Sequence, residues 1–294
     1  MPENPCGSRA YITAKCSFKE MRPNQWSKNL LVFSALLFSL QKITITNLFH
    51  LLIGFILFCF ISGCVYIIND FYDREADQKH PIKKERPIAS GMLNSTIALF
   101  FAFFLFFCSF VIALFLNASF LLILLCYFIL NVAYSIKLKH VVIIDIMSIA
   151  AGFVIRAIAG GFVIITPWFL MCILLLSLFL AIGKRRHELF LLREGDTHRI
   201  VLKRYSIPLL DQLNSIVTTS TILCYSLFTF TSGRTQYLML TIPFVIFGIF
   251  RYLYLIHIEQ KGGAPDKILF EDKPILITVI LYVITLVIIF SVFE

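Results

Sequence analysis

Asp70, Asp73 and Asp77 are the residues of this chain best spaced for chemistry. At a helical step of about 100° per residue the three carboxylates fall within about 60° of one another, so a helix through them carries three negative charges on one narrow face. Unpaired, they repel. Hard cations take oxygen ligands and usually keep substrate phosphates in their shell, so this face suits a metal-bound diphosphate, with Asp70, Asp73 and Asp77 as ligands of Mg2+ or, in its place, Mn2+. Lys83, Lys84 and Arg86 follow Asp77 closely, bracketed by Pro81 and Pro87. The prolines restrict that loop, and its cations are placed to meet phosphate oxygens the metal leaves free. The competing reading is a solvated helix at the membrane edge followed by a basic anchor, which does not require three aspartates on one face.

A second polar centre is Gly183-Lys184-Arg185-Arg186-His187-Glu188, continuing through Gly195–Arg199 to Lys203-Arg204-Tyr205. Lys184, His187 and Glu188 are three and four residues apart and share a helical face. A basic membrane anchor has no need of His187 or Glu188. Between the two centres, Asp145, Ser148, Gly152, Arg156 and Gly160 lie within about 60° of one helical face inside an apolar run. A charge at that depth costs about 2.5–3.5 kcal/mol or more, so such a stripe marks a polar cavity. The alternative is contact between helices, with Gly152 and Gly160 allowing close approach. Asp145 and Arg156 are about 16 Å apart along such a helix, so each needs some other partner. Near the amino terminus Trp26 and Lys28 suit a membrane interface whatever the function, whereas Asn24 and Asn29 are not needed for anchoring and are placed to line a site. Tyr134 and Lys139 close another apolar run; both can reach a phosphate, and both are equally ordinary at a membrane edge.

The elements that must position these residues are membrane helices. Of 294 residues, 59% are hydrophobic and 15% charged, and the mean hydropathy is +0.87, outside the range of an ordinary soluble domain. Apolar runs long enough to cross about 30 Å of hydrocarbon fall near 28–42, 47–68, 94–116, 118–135, 141–163, 166–183, 208–231, 236–257 and 274–293. The fold expected is therefore all-α and polytopic, with about nine transmembrane helices around a cytoplasm-facing polar cavity. Residues 1–21 are expected to be a flexible cytoplasmic extension, and 22–294 a single transmembrane domain.

Charge placement gives the orientation. All of the 26 lysines and arginines except Lys42, Arg156 and Arg234 fall in the amino-terminal segment, in alternate loops or in the ends of the runs that border them. Cations concentrate on the cytoplasmic side, which places the amino terminus there and the carboxyl terminus outside. The net charge of +9 then reflects orientation and attraction to the lipid bilayer and to phosphate, with no nucleic acid required. Six of the eight cysteines lie in apolar runs, and Cys6 and Cys16 lack the spacing of a zinc site. The layout of two spans and then a charged loop occurs twice, without any repeated sequence.

These motifs resemble the UbiA-type intramembrane prenyltransferases. Asn69-Asp70-x-x-Asp73-x-x-x-Asp77 is similar to the first motif of that superfamily, and Tyr134 with Lys139 to its Tyr-Lys element. Within it, the chain resembles the branch of decaprenyl-phosphate phosphoribosyltransferases. That likeness rests on Arg22-Pro-x-Gln25-Trp26-x-Lys28-Asn29, His80-Pro81-x-Lys83-x-x-Arg86-Pro87-Ile88-Ala89-x-Gly91, Gly152-Phe153-x-x-Arg156-Ala157-x-Ala159-Gly160-Gly161 and Gly183–Glu188. Prenyl-diphosphate users of the superfamily carry a second aspartate-rich motif where this chain has Gly183–Glu188, with one carboxylate and three cations.

The resemblance implies a Mg-dependent enzyme of a bacterial-type cytoplasmic membrane that moves a phosphoribosyl group from phosphoribosyl pyrophosphate to a polyprenyl phosphate. A homo-oligomer is compatible with it. It implies a reacting centre of Asp70, Asp73, Asp77, Lys184 and Glu188. Substrate is then held by Asn24, Lys28, Asn69, Lys83, Arg86, Tyr134, Lys139, Asp145, Arg156, Arg185 and His187. Two rival readings are prenyl transfer from a polyprenyl diphosphate to an aromatic or haem acceptor, and a phosphate or metal transporter. A transporter favours broken helices near the midplane with gates on both sides, whereas the polar groups here cluster towards one face.

Overall fold

A computed structural model describes residues 5–38, 44–79, 83–161, 166–193, 200–233, 235–263, 268 and 271–293. Lys42, His80, Pro81, Gly195–Arg199 and Arg234, which entered the sequence reading, lie outside the described residues. The described residues form helices and no strand: α1 (Pro5–Glu20), a 3-10 helix (Pro23–Phe38), α2 (Ile45–Tyr72), α3 (Arg74–Gln78), α4 (Ser95–Leu116), α5 (Ala118–Ile136), α6 (Ile144–Ala159), α7 (Pro167–Arg193), α8 (Ile207–Thr231), α9 (Ile242–His257) and α10 (Lys273–Phe293). Each of the nine expected spans falls on one of these. Among the described residues, seven helical stretches are long and apolar enough to cross a membrane. The stretches of the expected first and fifth spans are not among them. The first is wound as a 3-10 helix of 16 residues, which at about 2.0 Å per residue reaches roughly 32 Å. The fifth, α6, has 16 residues and reaches roughly 24 Å.

The chain divides into two compact units. One comprises Met1–Ala35, Lys42–Lys139 and Ile155–Val163; the other comprises Leu36–Gln41, His140–Val154 and Ile164–Glu294. In the first unit α2 is the central element, with 61% of its most apolar window buried against 22% in α4 and in α5. Gly54, Gly63 and the small Ser62 and Cys64 let neighbours approach it closely, Phe120 on one side and Met21 on another. Phe100, Phe103, Phe104, Phe107 and Phe115 of α4 are exposed, as befits a helix that meets lipid. Asn117 ends α4 and begins α5, its side chain accepting from the Ser119 amide, so one short polar residue supplies the hairpin and its cap. Gly160 meets the Val32 carbonyl oxygen so closely that no Cβ fits between them. Close packing by glycine was one reading of the stripe that ends in Gly160, and at that position it is what the structure contains.

Where the sequence suggests a flexible extension, the structure has α1, whose last turn packs into the first unit. Cys16, Ser17, Glu20 and the following Met21 are buried, and Cys16 and Met21 share a cluster with Cys64, Ile67, Ile88 and Leu93. The second unit is built on α7 and α8. Its core joins Ile146 of α6 to Phe179 and Ile182 of α7, Leu210 and Val217 of α8, and Ile249, Tyr252 and Ile256 of α9. Ser206 caps α8, accepting from the Leu209 amide, and Pro208 lies in its first turn, the position where a missing N–H costs nothing.

Candidate active site

In the first unit, Asp70 ends α2 on its inner face, Asp73 is the junction residue between α2 and α3, and Asp77 lies in α3. The face the sequence places on one helix is therefore carried by a helix, a break and a further short turn. Asp70 is 1% exposed and Asp77 4%, depths at which an unpaired carboxylate would be costly. Cations supply the pairing. Arg86 Nη1 donates to Asp70 Oδ1 at 2.9 Å and to Asp77 Oδ2 at 2.5 Å. Lys83 Nζ lies 4.0 Å from Asp77, and Lys139 Nζ lies 2.6 Å from Asp73. Asn69 Nδ2 donates to Asp70 at 3.4 Å. The structure thus brings Asn69, Asp70, Asp73, Asp77, Lys83, Arg86 and Lys139 into one cluster.

Arg22 and Glu20 are members that sequence reasoning passed over. Arg22 Nη2 donates to both Asp70 oxygens, at 2.5 and 2.6 Å, and its guanidinium lies 4.8 Å from the Tyr66 ring centre. Its φ of 52° is in the left-handed region, uncommon for a residue with a Cβ, and this turn directs the side chain from the end of α1 towards α2. Arg22 was visible in sequence, but counted only as an orienting charge and as part of a motif. Glu20 accepts from the Ile88 amide at 3.3 Å, fastening the loop that carries Arg86. Burial first, and then the nearby Asp70 charge, push the Glu20 carboxyl up to about 7. An acid whose pKa is raised on folding contributes stability that is full below its unfolded value, here 4.5, and is lost as pH rises through the folded value. In metal-free buffer the thermal midpoint is therefore expected to fall between about pH 5 and 7, and Glu20→Gln to flatten that slope.

Among the described residues no three His, Cys, Asp or Glu side chains are close enough to hold an ion together. The donor set still fits a hard divalent ion in one respect. Asp70 and Asp77 reach the same guanidinium nitrogen from different helices, so two carboxylates already converge on one point of positive charge. Asp73, expected as the third ligand, is turned to Lys139 and keeps 32% of its side chain exposed.

Arg156 lies in the same unit but in a separate, buried network. Its Nε donates to Asn29 Oδ1 at 2.8 Å and its Nη2 to the Tyr127 hydroxyl at 2.5 Å, while Asn29 donates to Ser62 at 3.2 Å. These contacts join four helices. Asn24 is exposed near the start of the 3-10 helix, Lys28 is half-buried in the next turn, and Tyr134 is half-buried in α5.

In the second unit, Asp145 is fully buried and Arg185 is 1% exposed. Arg185 Nε meets Asp145 Oδ2 at 2.7 Å and its Nη1 meets Glu188 Oε2 at 2.6 Å. The Tyr205 hydroxyl donates to Asp145 Oδ1 at 2.7 Å and accepts from the Ile143 amide at 2.6 Å. Burial, reinforced by the hydrogen bond to Asp145, raises the Tyr205 phenol above its ordinary range. The requirement that Asp145 and Arg156 find separate partners is met, by Arg185 and Tyr205 for one and by Asn29 and Tyr127 for the other. Arg185, expected at a phosphate, is held by two carboxylates. Arg186 is 2.6 Å from Asp211 and donates to the Ile256 carbonyl at 3.3 Å. His187 Nδ1 accepts from the Gly262 amide at 3.4 Å. Lys184 is half-buried on α7 in the turn that carries them.

Residues 30–271 match the UbiA prenyltransferase family. The chain is 34% identical over 275 residues to the decaprenyl-phosphate phosphoribosyltransferase of Mycolicibacterium smegmatis, covering 87% of this chain and 86% of that one. To the enzyme of the same name from Corynebacterium glutamicum it is 34% identical over 289 residues, covering 92% and 85%. Among solved structures it is similar in fold to a UbiA homolog from Archaeoglobus fulgidus bound to GPP and Mg2+, with a TM-score of 0.72 at 19% identity, covering 94% of this chain and 100% of that one. A helical multi-pass architecture, the Asn69–Asp77 cluster at the end of α2 and a sequence match across most of the chain lead to one conclusion: this protein belongs to the UbiA prenyltransferase family.

Proposed function

We propose that this protein transfers the 5-phosphoribosyl group of phosphoribosyl pyrophosphate to a polyprenyl phosphate of decaprenyl type, releasing pyrophosphate. The observation that carries the reading is the make-up of Gly183–Glu188. Where a second set of metal-binding aspartates serves prenyl-diphosphate donors, this chain presents Lys184, Arg185, Arg186 and a single carboxylate, Glu188. Arg185 and Arg186 are engaged by Asp145, Glu188 and Asp211, so Lys184 is the cation of this motif assigned to phosphate, and a motif without a metal-binding carboxylate set suits a donor with both a 5-phosphate and a 1-diphosphate. The relatives named as decaprenyl-phosphate phosphoribosyltransferases support the same chemistry.

In the reaction, the bond from the anomeric carbon to the pyrophosphate oxygen breaks and its electron pair leaves with pyrophosphate. A new bond forms from that carbon to an oxygen of the lipid phosphate. Charge builds on the ring as in other glycosyl transfers, giving oxocarbenium character. The nucleophile is already anionic, so the protein has to position it and no general base is required. Asp70, Asp77 and, after release from Lys139, Asp73 would hold Mg2+ or Mn2+. The ion's contribution is to neutralise charge on the departing pyrophosphate. Arg22, Lys83, Arg86 and Lys139 then change partners, from carboxylate to phosphate oxygen, without leaving the cluster. Lys184 and His187 are assigned to donor phosphate, and Asn24, Lys28 and Tyr134 to the substrate's remaining polar groups. Arg156 and the Asp145–Arg185–Glu188 set hold the helices that carry these residues. The cation-rich amino terminus and loops support a site facing the cytoplasm, in a bacterial-type inner membrane.

Donor choice is open to direct test. A ligand bound only by the folded state raises stability by about 2.7 kcal/mol at a hundred times its Kd. Phosphoribosyl pyrophosphate with Mg2+ is expected to raise the thermal midpoint, and geranylgeranyl diphosphate to leave it unchanged. The reverse result would replace this reading with prenyl transfer to an aromatic or haem acceptor. Lys184→Ala is expected to weaken phosphoribosyl pyrophosphate binding about ten- to a hundredfold, the equivalent of about 1.5–3 kcal/mol for one charge-assisted contact.

A further inference from the structure

The segment that follows α9 closes onto the α7 motif. The helix ends with the Ile258 amide donating to Tyr254 and the Lys261 amide reaching back to the Leu255 carbonyl, at 2.9 Å each. Gln260 takes φ 54° to allow this, the geometry of a helix terminated by a left-handed residue. Lys261 Nζ is 2.7 Å and Arg251 Nη2 3.7 Å from Glu259, and Arg251 is also 2.8 Å from Asp272. The segment is thus pinned before it reaches Gly262 and Gly263.

Three members of the α7 motif meet the last turn of α9 or the segment after it. A Cβ at Gly183 would lie 2.6 Å from Ile256 Cδ1, so that side chain would have to shift. Arg186 holds the Ile256 carbonyl. His187 is touched on two edges. The Gly262 amide donates to Nδ1, and an amide nitrogen can only donate, so the neutral ring carries its proton on Nε2. Gly263 runs along the other edge, where a Cβ would stand 2.6 Å from Cδ2 and 2.9 Å from Nε2. Glycine at 263 is therefore what lets the segment pass the Nε2 edge of the ring without a side chain pressed against it. A Cβ at Gly262 would in turn stand 3.0 Å from the Gly183 carbonyl and 3.1 Å from His187 Cβ.

We propose that Gly262 and Gly263 are positioning residues that fix His187 as an Nε2–H donor to an anionic oxygen of the substrate, so that the strap after α9 sets affinity for the phosphorylated donor. The assignment rests on the proposed phosphoribosyl transfer for the identity of that oxygen. It excludes a general-base role for His187, because Nδ1 is occupied as an acceptor and Nε2 bears the proton.

The test is a double-mutant cycle on the full-length protein in lipid nanodiscs, with Gly263→Ala, His187→Ala and the pair. Thermal unfolding without substrate reads the contact itself. Gly263→Ala is expected to lower the midpoint in the wild-type background and to have little effect once the ring is gone. Equal shifts in both backgrounds would overturn the proposal. Kinetics read the role. Gly263→Ala and His187→Ala are each expected to raise KM for phosphoribosyl pyrophosphate about tenfold, with kcat and the KM for polyprenyl phosphate changing much less, and the pair to be no worse than His187→Ala alone. His187→Gln, which keeps an N–H donor near the Nε2 position, is expected to recover most of the affinity, and His187→Asn is not. Multiplicative effects, recovery by Asn in place of Gln, or wild-type KM in Gly263→Ala would each overturn it. If the wild-type protein uses a prenyl diphosphate instead, the donor assignment fails by itself. The unfolding cycle still judges the contact, and the same KM comparison with that diphosphate judges the positioning role.

Discussion

Asp73→Asn is expected to lower turnover about 10²- to 10³-fold, the usual cost of removing one group that stabilises charge developing in the transition state, while the protein stays folded. Of the three aspartates it gives the cleanest experiment. Asp70 and Asp77 are buried against Arg22 and Arg86, so removing either charge would leave a buried cation with fewer partners and confuse catalysis with folding. Asp73 keeps 32% of its side chain exposed and pairs with Lys139 alone among the ion pairs above; an ion pair of that kind contributes about 0.2–1 kcal/mol. Pyrophosphate release from phosphoribosyl pyrophosphate and polyprenyl phosphate, measured beside thermal unfolding, separates the two effects. Chelation of divalent ions is expected to abolish the same activity. Full turnover in excess chelator, or in the Asn variant, would remove Asp73 and the metal from the chemistry.

Arg185→Ala is expected to have the largest effect on stability, about 3–5 kcal/mol, because it leaves Asp145 charged and fully buried without its cation. Loss of the folded protein from detergent extracts and a lowered unfolding midpoint are the readouts. Arg185→Met combined with Asp145→Asn should recover most of the loss, since removing both charges also removes the cost of burying them. Glu188 remains 21% exposed and can be solvated. If Arg185→Ala instead unfolds like the wild type and only binds donor more weakly, Arg185 is a phosphate ligand after all and the triad is incidental.

The two arginines show how the sequence reading and the structure divide. A cation following an apolar run looks the same whether it meets a phosphate or a carboxylate, because the distinction depends on what a distant segment brings to it. Arg185 meets Asp145 from 40 positions away; Arg22 meets Asp70 from 48. Neither separation leaves a periodic trace, so Arg185 was expected at substrate and Arg22 was counted as an orienting charge. Gly262 and Gly263 were silent for the same reason. A glycine in a loop signals a turn, and only the His187 ring beside it gives its missing side chain a purpose.

The sequence by itself determined that this protein is a multi-pass helical membrane protein, where its apolar helices lie within a few residues, and that carboxylates and cations gather in the stretches after the second and sixth spans. Those properties follow from composition and local periodicity, which a lipid environment enforces strongly because every backbone polar group must be satisfied within its own helix. Tertiary structure alone decided that α1 is packed through Glu20 and Met21, that the first apolar stretch is wound as a 3-10 helix, that the aspartate face breaks at Asp73, and which cation each carboxylate takes. Ion pairing in a low-dielectric interior is settled by the nearest available partner, and proximity across 40 or more residues is a property of the packed helices.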